Sequence, residues 1–200
     1  VMTTETTCWS SIWQTDEKVK EYYSIHGRAE DYSKLEPQDV AYYDGLVYVD
    51  LSKIKPTIAM PFHPSNIYTI EELKANPIEI MNHVQKEGSK QFDNPEIKLD
   101  LVSKIKDGQV YADQGIVAGC AGGIYDNIVD IADIMDGKSI GNSTFKMSVY
   151  PASQPAYVEM VKNGTIEKLM NAGVIVRSAF CGPCFGAGDT PANQELSIRH

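Results

Sequence analysis

The chain has 200 residues, 42% of them hydrophobic and 22% charged, which is enough for one sizeable core or for one domain with part of another. Its formal net charge of −9 disfavours nucleic acids and anionic membrane surfaces as partners, because both attract clustered Lys and Arg. No apolar stretch approaches the roughly 20 residues of a membrane-spanning helix, and the N-terminus lacks a signal-peptide pattern, so we expect a cytoplasmic protein without a membrane partner.

The N-terminal part predicts one helix followed by a polar connection. Val1 is not a natural start, so we expect a piece of a longer protein. Thr15 is the expected N-cap of a helix that begins with Asp16 and runs to His26, where Gly27 ends it. Residues 28–43 predict a polar connection with one short helical turn.

The central part predicts a strand and two helices. Residues 46–51 (Leu-Val-Tyr-Val-Asp-Leu) predict a strand that Lys55-Pro56 ends. Residues 70–87 have apolar side chains at helical spacing, and Pro77 divides them into two helices.

From residue 110 onwards, strand and helix patterns alternate. Extended segments are expected at residues 110–118, 145–150 and 174–176. Helices are expected from Ser153 to Asn163, from Thr165 to Ala172, and at 124–135, with one apolar face made of Ile124, Ile128, Ile131, Ala132 and Met135. The alternation predicts an α/β fold in three layers, α/β/α, with a mostly parallel sheet.

Three cysteines follow two of the predicted strands. Cys120 follows the strand at 110–118, and Cys181 and Cys184 follow the strand at 174–176. Carboxyl ends of parallel strands meet at one edge of a sheet, where ligands bind, so we expect one shared site. Three thiolates can hold a metal cluster and leave one metal position open, which implies Lewis-acid chemistry.

Two other interpretations of these cysteines remain open. Cys181-Gly182-Pro183-Cys184 is also a thioredoxin-type redox motif, although only 200 − 184 = 16 residues follow it, too few to complete that fold. A structural zinc site needs a fourth ligand, and Cys8 and the four His have no paired spacing with Cys120.

Several other features of the sequence do not predict a catalytic or binding role. Residues 119–123 (Gly-Cys-Ala-Gly-Gly) do not match a phosphate-binding loop, and their glycines are expected to let backbone approach a bulky group beside Cys120. Cys8 is expected to be a small packed side chain. An exposed helix face is expected for Asp126, Asp130, Asp133 and Asp136.

Two segments resemble the iron–sulfur core of the aconitase superfamily, which includes aconitase, homoaconitase and isopropylmalate isomerase. They are residues 116–127 (Ile-Val-Ala-Gly-Cys-Ala-Gly-Gly-Ile-Tyr-Asp-Asn) and residues 178–186 (Ser-Ala-Phe-Cys-Gly-Pro-Cys-Phe-Gly). Residues 42–56 are similar to the segment that opens the cluster-bearing domain of that family. Residues 11–17 resemble its Ser-Ile-Phe-Pro-Ser-Asp-Glu stretch.

The resemblance implies a hydro-lyase that dehydrates and rehydrates a hydroxy di- or tricarboxylic acid. Cys120, Cys181 and Cys184 match the three protein ligands of a [4Fe-4S] cluster, whose fourth iron binds the acid. Glu5 falls on the active-site Glu of the family, although an exposed carboxylate is the alternative for it. The implied domains are residues 1–40, the helical and irregular end of a preceding lobe, and residues 41–200, a cluster-binding α/β domain truncated at its C-terminus.

The chain also departs from the family pattern. Cys120-Ala121-Gly122 stands where most members have Cys-Thr-Asn, so polar contacts to the cluster or substrate are expected to be missing, and a non-catalytic scaffold is an alternative. The chain ends at His200, before the Asn-Arg substrate-binding segment of the family. We therefore expect the fragment alone to be inactive and its partners to be the remaining lobes of the same polypeptide.

Overall fold

The computed structural model describes residues 7–200, and the chain divides into two units after Ile54. No residue between 7 and 54 is buried, so the first unit has no core of its own among those residues. The division after Ile54 separates two groups of contacts and is not a division between two folded cores. The domain boundary expected after residue 40 therefore stays a prediction. None of the helices described between residues 7 and 200 is long and apolar enough to cross a membrane.

The first unit contains helix α1, Glu17–Ile25, and two 3-10 turns, Ala29–Asp31 and Leu51–Lys53. The predicted N-cap was wrong by one residue, because the carboxylate of Asp16 accepts hydrogen bonds from the amides that begin the helix. The hydroxyl of Thr15 instead accepts a hydrogen bond from the amide of Leu35, at 2.8 Å. Thr15 therefore fixes a loop, and Asp16 caps the helix.

Two predictions for this unit were wrong. The structure describes no strand at residues 46–51, and Leu46 and Val47 are 91% and 87% exposed. Side chains that favour strands do so by packing on a pleated, half-buried surface, and no neighbouring strand in the described part of the chain provides one. Cys8 is exposed rather than packed, and the adjacent Trp9 is exposed as well.

The second unit begins with a hairpin and two helices. Strands β1, Thr57–Ala59, and β2, Ile67–Thr69, pair antiparallel with Ile58 opposite Tyr68. Helices α2, Ile70–Ala75, and α3, Pro77–Ser89, follow, and Pro77 opens the second helix as expected. One core forms here, from Met60, Leu73, Ile80, Met81 and Val84.

A four-stranded parallel sheet follows the short hairpin of β3, Ile105–Lys106, and β4, Gln109–Val110. The expected strand at 110–118 is divided between β4 and β5. The strands of the sheet, in the spatial order β7-β6-β5-β8, are β5, Gln114–Val117, β6, Lys146–Val149, β7, Ile175–Val176, and β8, Ser197–Arg199. In the register, Val117 lies opposite Val149 and Gln114 lies opposite Ser197.

Three helices cover one face of this sheet: α5, Tyr125–Met135, α6, Gln154–Lys162, and α7, Thr165–Asn171. They are preceded by α4, Gly119–Gly122, a single turn directly after β5. The largest core in the described residues lies between these helices and the sheet, formed by Val117, Ile128, Ala132, Val149, Met160, Ile166, Leu169, Ala172 and Val174.

The predicted apolar face of α5 is largely confirmed, because Ile128 and Ala132 are fully buried. Ile124 precedes the helix and is exposed, so it does not belong to that face. Three Asp in this helix and Asp136 directly after it are exposed as expected, and Asp133 and Asp136 form ion pairs with Lys168.

The opposite face of the sheet is covered by the segment that carries Cys184. Ile116, Ala118 and Tyr150 are buried there, and Cys184 packs against them. The protein therefore has the predicted α/β fold with a parallel sheet, and its cysteine-bearing segments leave the sheet at the carboxyl edge.

Candidate functional site

Cys120 lies where the sheet ends and α4 begins. Ala118 follows β5, and its amide donates a hydrogen bond to the carbonyl of His200 at 3.0 Å. The chain then turns at Gly119, with a φ of +81°, and Cys120 is the second residue of the single helical turn. The side chain of Cys120 is exposed, so the fold places this thiol at the open edge of the sheet.

The glycines after Cys120 let two strand ends approach α4. A Cβ atom on Gly123 would lie 2.3 Å from the carbonyl oxygen of Tyr150, and one on Gly122 would lie 2.2 Å from that of His200. Both distances are well inside van der Waals contact. Close approach at these glycines was expected, but the neighbour in the described structure is the backbone of the chain itself.

Cys181 and Cys184 lie in a tight turn that follows β7. The carbonyl of Gly182 accepts hydrogen bonds from the amides of Phe185 and Ala187, at 3.1 and 2.9 Å. Gly182 has a φ of +153°, which residues with a side chain rarely adopt. Pro183 is buried at the start of the 3-10 turn Pro183–Phe185, so backbone geometry fixes the shape of the turn.

The structure brings the turn of Cys184 against the segment of Cys120. A Cβ atom on Gly119 would lie 3.1 Å from the Sγ atom of Cys184. Cys184 is half-buried on the apolar patch of Ile116, Ala118 and Tyr150, whereas Cys181 is exposed. The three cysteines therefore leave strands of one parallel sheet at the same edge, and none of them is in a disulfide.

These cysteines fit an iron–sulfur cluster by donor chemistry and by place. Among residues 7–200, no group of three or more His, Cys, Asp or Glu side chains could hold a metal ion as placed. Each thiolate of a cluster binds its own iron, so cluster ligands surround a large group and need not converge on one ion. Three thiols at one edge of the sheet are donors of the kind that such a cluster needs.

The structure gives less support to the other two interpretations. Redox Cys-x-x-Cys motifs stabilise their thiolate at the N-terminus of an α-helix, and Cys181 is followed by a three-residue 3-10 turn. A zinc site needs a fourth ligand, and all four His are exposed, with none in a metal-binding group within the described ranges.

Glu5, the other residue expected at the site, lies outside the described residues. Its role stays a prediction that rests on the resemblance.

A polar network that was not expected from the sequence holds the cysteine turn to the sheet. The carboxylate of Asp189 accepts a hydrogen bond from the side-chain amide of Gln114 at 2.8 Å and another from the hydroxyl of Tyr150 at 2.7 Å. The guanidinium of Arg199 donates to the carbonyl oxygens of Pro183 and Asp189 and to the side-chain oxygen of Gln114. Three strands thus contact one loop through hydrogen bonds.

Tyr150 is the group in this network with a strongly displaced pKa. Burial and, after it, the hydrogen bond to Asp189 raise the pKa of Tyr150 to about 12. Both effects disfavour the phenolate, the first by removing water and the second by placing a carboxylate beside it. Tyr150 is therefore a neutral donor that holds Asp189 at any physiological pH.

One signal in the sequence could have found part of this network. Tyr150 is the last residue of the predicted strand at 145–150, so it was expected to lie at the carboxyl edge that Cys120 and Cys181 share. Arg199 could not be found in this way, because β8 has only three residues and carries little strand pattern.

Comparison with known proteins identifies a family for this chain. A model of the aconitase family (aconitate hydratase) matches residues 1–200. The chain is 27% identical over 177 residues to the 3-isopropylmalate dehydratase large subunit of Clostridium kluyveri, covering 88% of the chain and 34% of that protein. The protein of the same name from Clostridioides difficile is 26% identical over 180 residues, with 88% and 34% covered.

A third relative, the 3-isopropylmalate dehydratase large subunit of Caldicellulosiruptor saccharolyticus, is 27% identical over 177 residues, with 88% of the chain and 33% of that protein covered. The chain thus spans about a third of the length of the curated relatives it matches. Since the family model matches every residue, the chain belongs to the aconitase family.

Proposed function

We propose that the protein to which these residues belong is a hydro-lyase that removes water from a hydroxy di- or tricarboxylic acid and adds it back. The observation that carries the proposal is the contact of the Cys184 turn with Gly119, one residue before Cys120. That contact gathers two cysteine-bearing segments, 64 residues apart in sequence (184 − 120 = 64), at one edge of a parallel sheet. Membership of the aconitase family supports the reaction class.

We assign Cys120, Cys181 and Cys184 as the protein ligands of a [4Fe-4S] cluster. Such a cluster, when bound by three thiolates, supplies an iron with an open position, which can act as a Lewis acid toward a hydroxyl or carboxylate oxygen. Residues of the chain hold it: α4 carries the thiol of Cys120, and the turn from Gly182 to Ala187 fixes that of Cys184. We assign Glu5 to hydrogen-bond the water that leaves or adds.

For the substrate, we propose a hydroxy dicarboxylic acid of the 3-isopropylmalate type. The three relatives reported above are each named 3-isopropylmalate dehydratase large subunit, which supports this acid over citrate and homocitrate. The words "large subunit" favour a second subunit as a partner, in addition to further lobes of the same polypeptide. The acid and the second subunit are the finer parts of the proposal.

Anaerobic reconstitution of the 200-residue chain with iron and sulfide tests the ligand assignment. We expect uptake of about four irons and four sulfides per chain, with a broad visible absorbance and a paramagnetic signal after reduction. Cys181→Ser should lower the iron content and the absorbance severely, because it removes one of three protein ligands.

Cys8→Ser is the matched control, because Cys8 is an exposed cysteine outside the proposed ligand set. It should reconstitute as well as the wild-type chain. Equal reconstitution of Cys181→Ser and Cys8→Ser would exclude the assignment.

Turnover requires the longest polypeptide that contains these residues, assayed with its cluster loaded on 3-isopropylmalate, citrate, isocitrate and homocitrate. We expect turnover of 3-isopropylmalate above the other three. A fully loaded protein that converts none of these acids would favour a non-catalytic scaffold. That alternative is motivated by Ala121-Gly122, which stands where most members of the family have Thr-Asn. A side chain on Gly122 would collide with the backbone of His200, so the structure leaves no room for a polar side chain at this position.

A further inference from the structure

The cysteine turn is joined to the sheet by side chains that are not themselves ligands. Within the turn, hydrogen bonds to the carbonyl of Gly182 fix its shape, but they do not join it to the sheet. The joining contacts come from Asp189, five residues after Cys184, and from Arg199 in β8. The shape of the turn and its place on the sheet therefore have separate causes.

Asp189 is the point where these contacts meet. Its side chain is 14% exposed, and its two carboxylate oxygens accept from two different strands, Oδ1 from Gln114 in β5 and Oδ2 from Tyr150 at the end of β6. Gln114 and Tyr150 are buried, at 5% and 6% exposure. A charge this enclosed needs compensation, which Arg177 provides, with its Nε atom 3.8 Å from Oδ2.

Arg199, in the neighbouring strand β8, adds further contacts on the same face of the sheet. It donates to the backbone of the loop at Pro183 and Asp189 and to the oxygen of Gln114, the residue that donates to Asp189. Ser197 donates to that same oxygen at 2.7 Å, which fixes the orientation of the Gln114 amide. The donor of Gln114 is thus aimed at Asp189 by two residues of β8.

We propose that Asp189 is a positioning residue for the thiol of Cys184, and that it acts by fixing the cysteine turn to the ends of β5 and β6. The inference rests on the proposed function of Cys184 as a cluster ligand, because only a ligand needs its sulfur held in one place. Loss of the Asp189 contacts releases the turn from the sheet and leaves all three thiols chemically intact.

Asp189→Asn is the sharpest variant, because it keeps the size of the side chain and changes one acceptor into a donor. Gln114 and Tyr150 each donate to their own carboxylate oxygen, so the variant keeps only one of the two acceptors and removes the negative charge that strengthens both hydrogen bonds. In the iron-free chain, we expect alkylation of Cys184 to be about tenfold faster, the factor to which one charge-assisted hydrogen bond corresponds. Peptide mass mapping follows Cys184, with exposed Cys8 as the internal reference whose rate should not change.

A core variant separates positioning from general loss of stability. Ile128→Val removes one methylene from a fully buried side chain on the opposite face of the sheet. It should lower the melting temperature but leave the alkylation of Cys184 unchanged. The proposal is wrong if the two variants accelerate Cys184 equally, or if neither does.

The reconstituted chain gives the second readout. With the cluster loaded, Asp189→Asn should lose iron to a chelator about tenfold faster than the wild type and shift the paramagnetic spectrum, whereas Ile128→Val should do neither. Unchanged iron loss and an unchanged spectrum in Asp189→Asn would overturn the proposal.

The proposal can still be tested if Asp189→Asn does not fold or if the wild-type chain takes up no cluster. If Asp189→Asn does not fold, Tyr150→Phe removes one donor and keeps the ring; faster alkylation of Cys184 in that variant supports the proposal, and an unchanged rate overturns it. If the wild-type chain takes up no cluster, the proposed function fails, while the alkylation rates, which need no iron, still decide the positioning role.

Discussion

At the scale of single residues, the site depends on side chains that bind no ligand. The thiols of Cys120 and Cys181 are exposed. Cys184 differs, because it is half-buried on a patch that includes Tyr150, and Tyr150 in turn binds Asp189. A sequence motif finds the three thiols, but the residues that hold the third one in place share no motif with it.

The raised pKa of Tyr150 makes a prediction about alkaline stability. The folded state holds the neutral phenol up to about pH 12, whereas in the unfolded chain the group ionises near its ordinary value of 10.0. The stabilisation is therefore complete below about pH 10 and is lost as the pH rises from about 10 to about 12, with a magnitude of about 3 kcal/mol.

Tyr150→Phe provides the comparison, because the variant has no group to ionise at that position. We expect the difference in free energy of unfolding between the wild type and the variant to shrink by about 3 kcal/mol across this interval. Denaturant unfolding at several pH values measures it. A difference that stays constant from pH 9 to pH 12 would contradict the assigned pKa.

At the scale of elements, local patterns predicted those parts whose partners are close in sequence. The helices α2 and α3, divided by Pro77, and the helices α5 to α7 were predicted correctly, because capping residues, a proline and apolar spacing act within one element. The strand expected at 46–51 was wrong, because strand formation needs a neighbour that residue patterns do not specify.

The same distinction between local and long-range contacts separates the predicted parts of the site from the unpredicted ones. Its place at the carboxyl edge followed from the order of strands and helices, and its cysteines followed from their spacing. The Asp189 network did not follow, because Gln114 and Arg199 lie in two strands, Tyr150 follows a third, and the three meet only in the folded sheet.

The close packing of α4 on the end of β6 can be tested through Gly123. This glycine has a φ of −83°, which any residue adopts, so a substitution there tests steric contact alone. In Gly123→Ala, the added methyl would lie 2.3 Å from the carbonyl oxygen of Tyr150 and 2.7 Å from that of Gly119. We expect a loss of about 1–3 kcal/mol in the free energy of unfolding.

Gly45→Ala is the matched control, because a methyl group at Gly45 meets no atom within 4 Å. Its effect should stay within about 0.5 kcal/mol of zero. Chemical denaturation of both variants checks the comparison, and equal stabilities would mean that α4 does not pack on β6 as described.

At the scale of the whole molecule, the buried side chains are concentrated in one unit. The three cores of the described chain all lie within residues 55–200, and no residue from 7 to 54 is buried. We therefore expect a shortened chain of residues 55–200 to fold and to melt within about 4 °C of the full chain, which corresponds to about 1 kcal/mol.

Calorimetry of the two chains measures the difference. The shortened chain should also load iron and sulfide as the full chain does, since it keeps all three proposed ligands. A melting temperature lowered by much more than this would show that residues 1–54 stabilise the second unit.

The position of β8 in the sheet also affects the order in which the contacts at the cysteine-bearing edge form. This strand is separated from its neighbour β5 by about 83 residues of chain, yet it supplies Arg199, which binds the loop that carries Cys184. Contacts across such sequence separations form slowly, because a long loop must close first. During synthesis, Cys120 is made well before Arg199, whose hydrogen bond to Pro183 helps to hold the loop of Cys184 on the sheet. We therefore expect insertion of the proposed cluster at this edge to be a late step, which follows the pairing of β8 with β5.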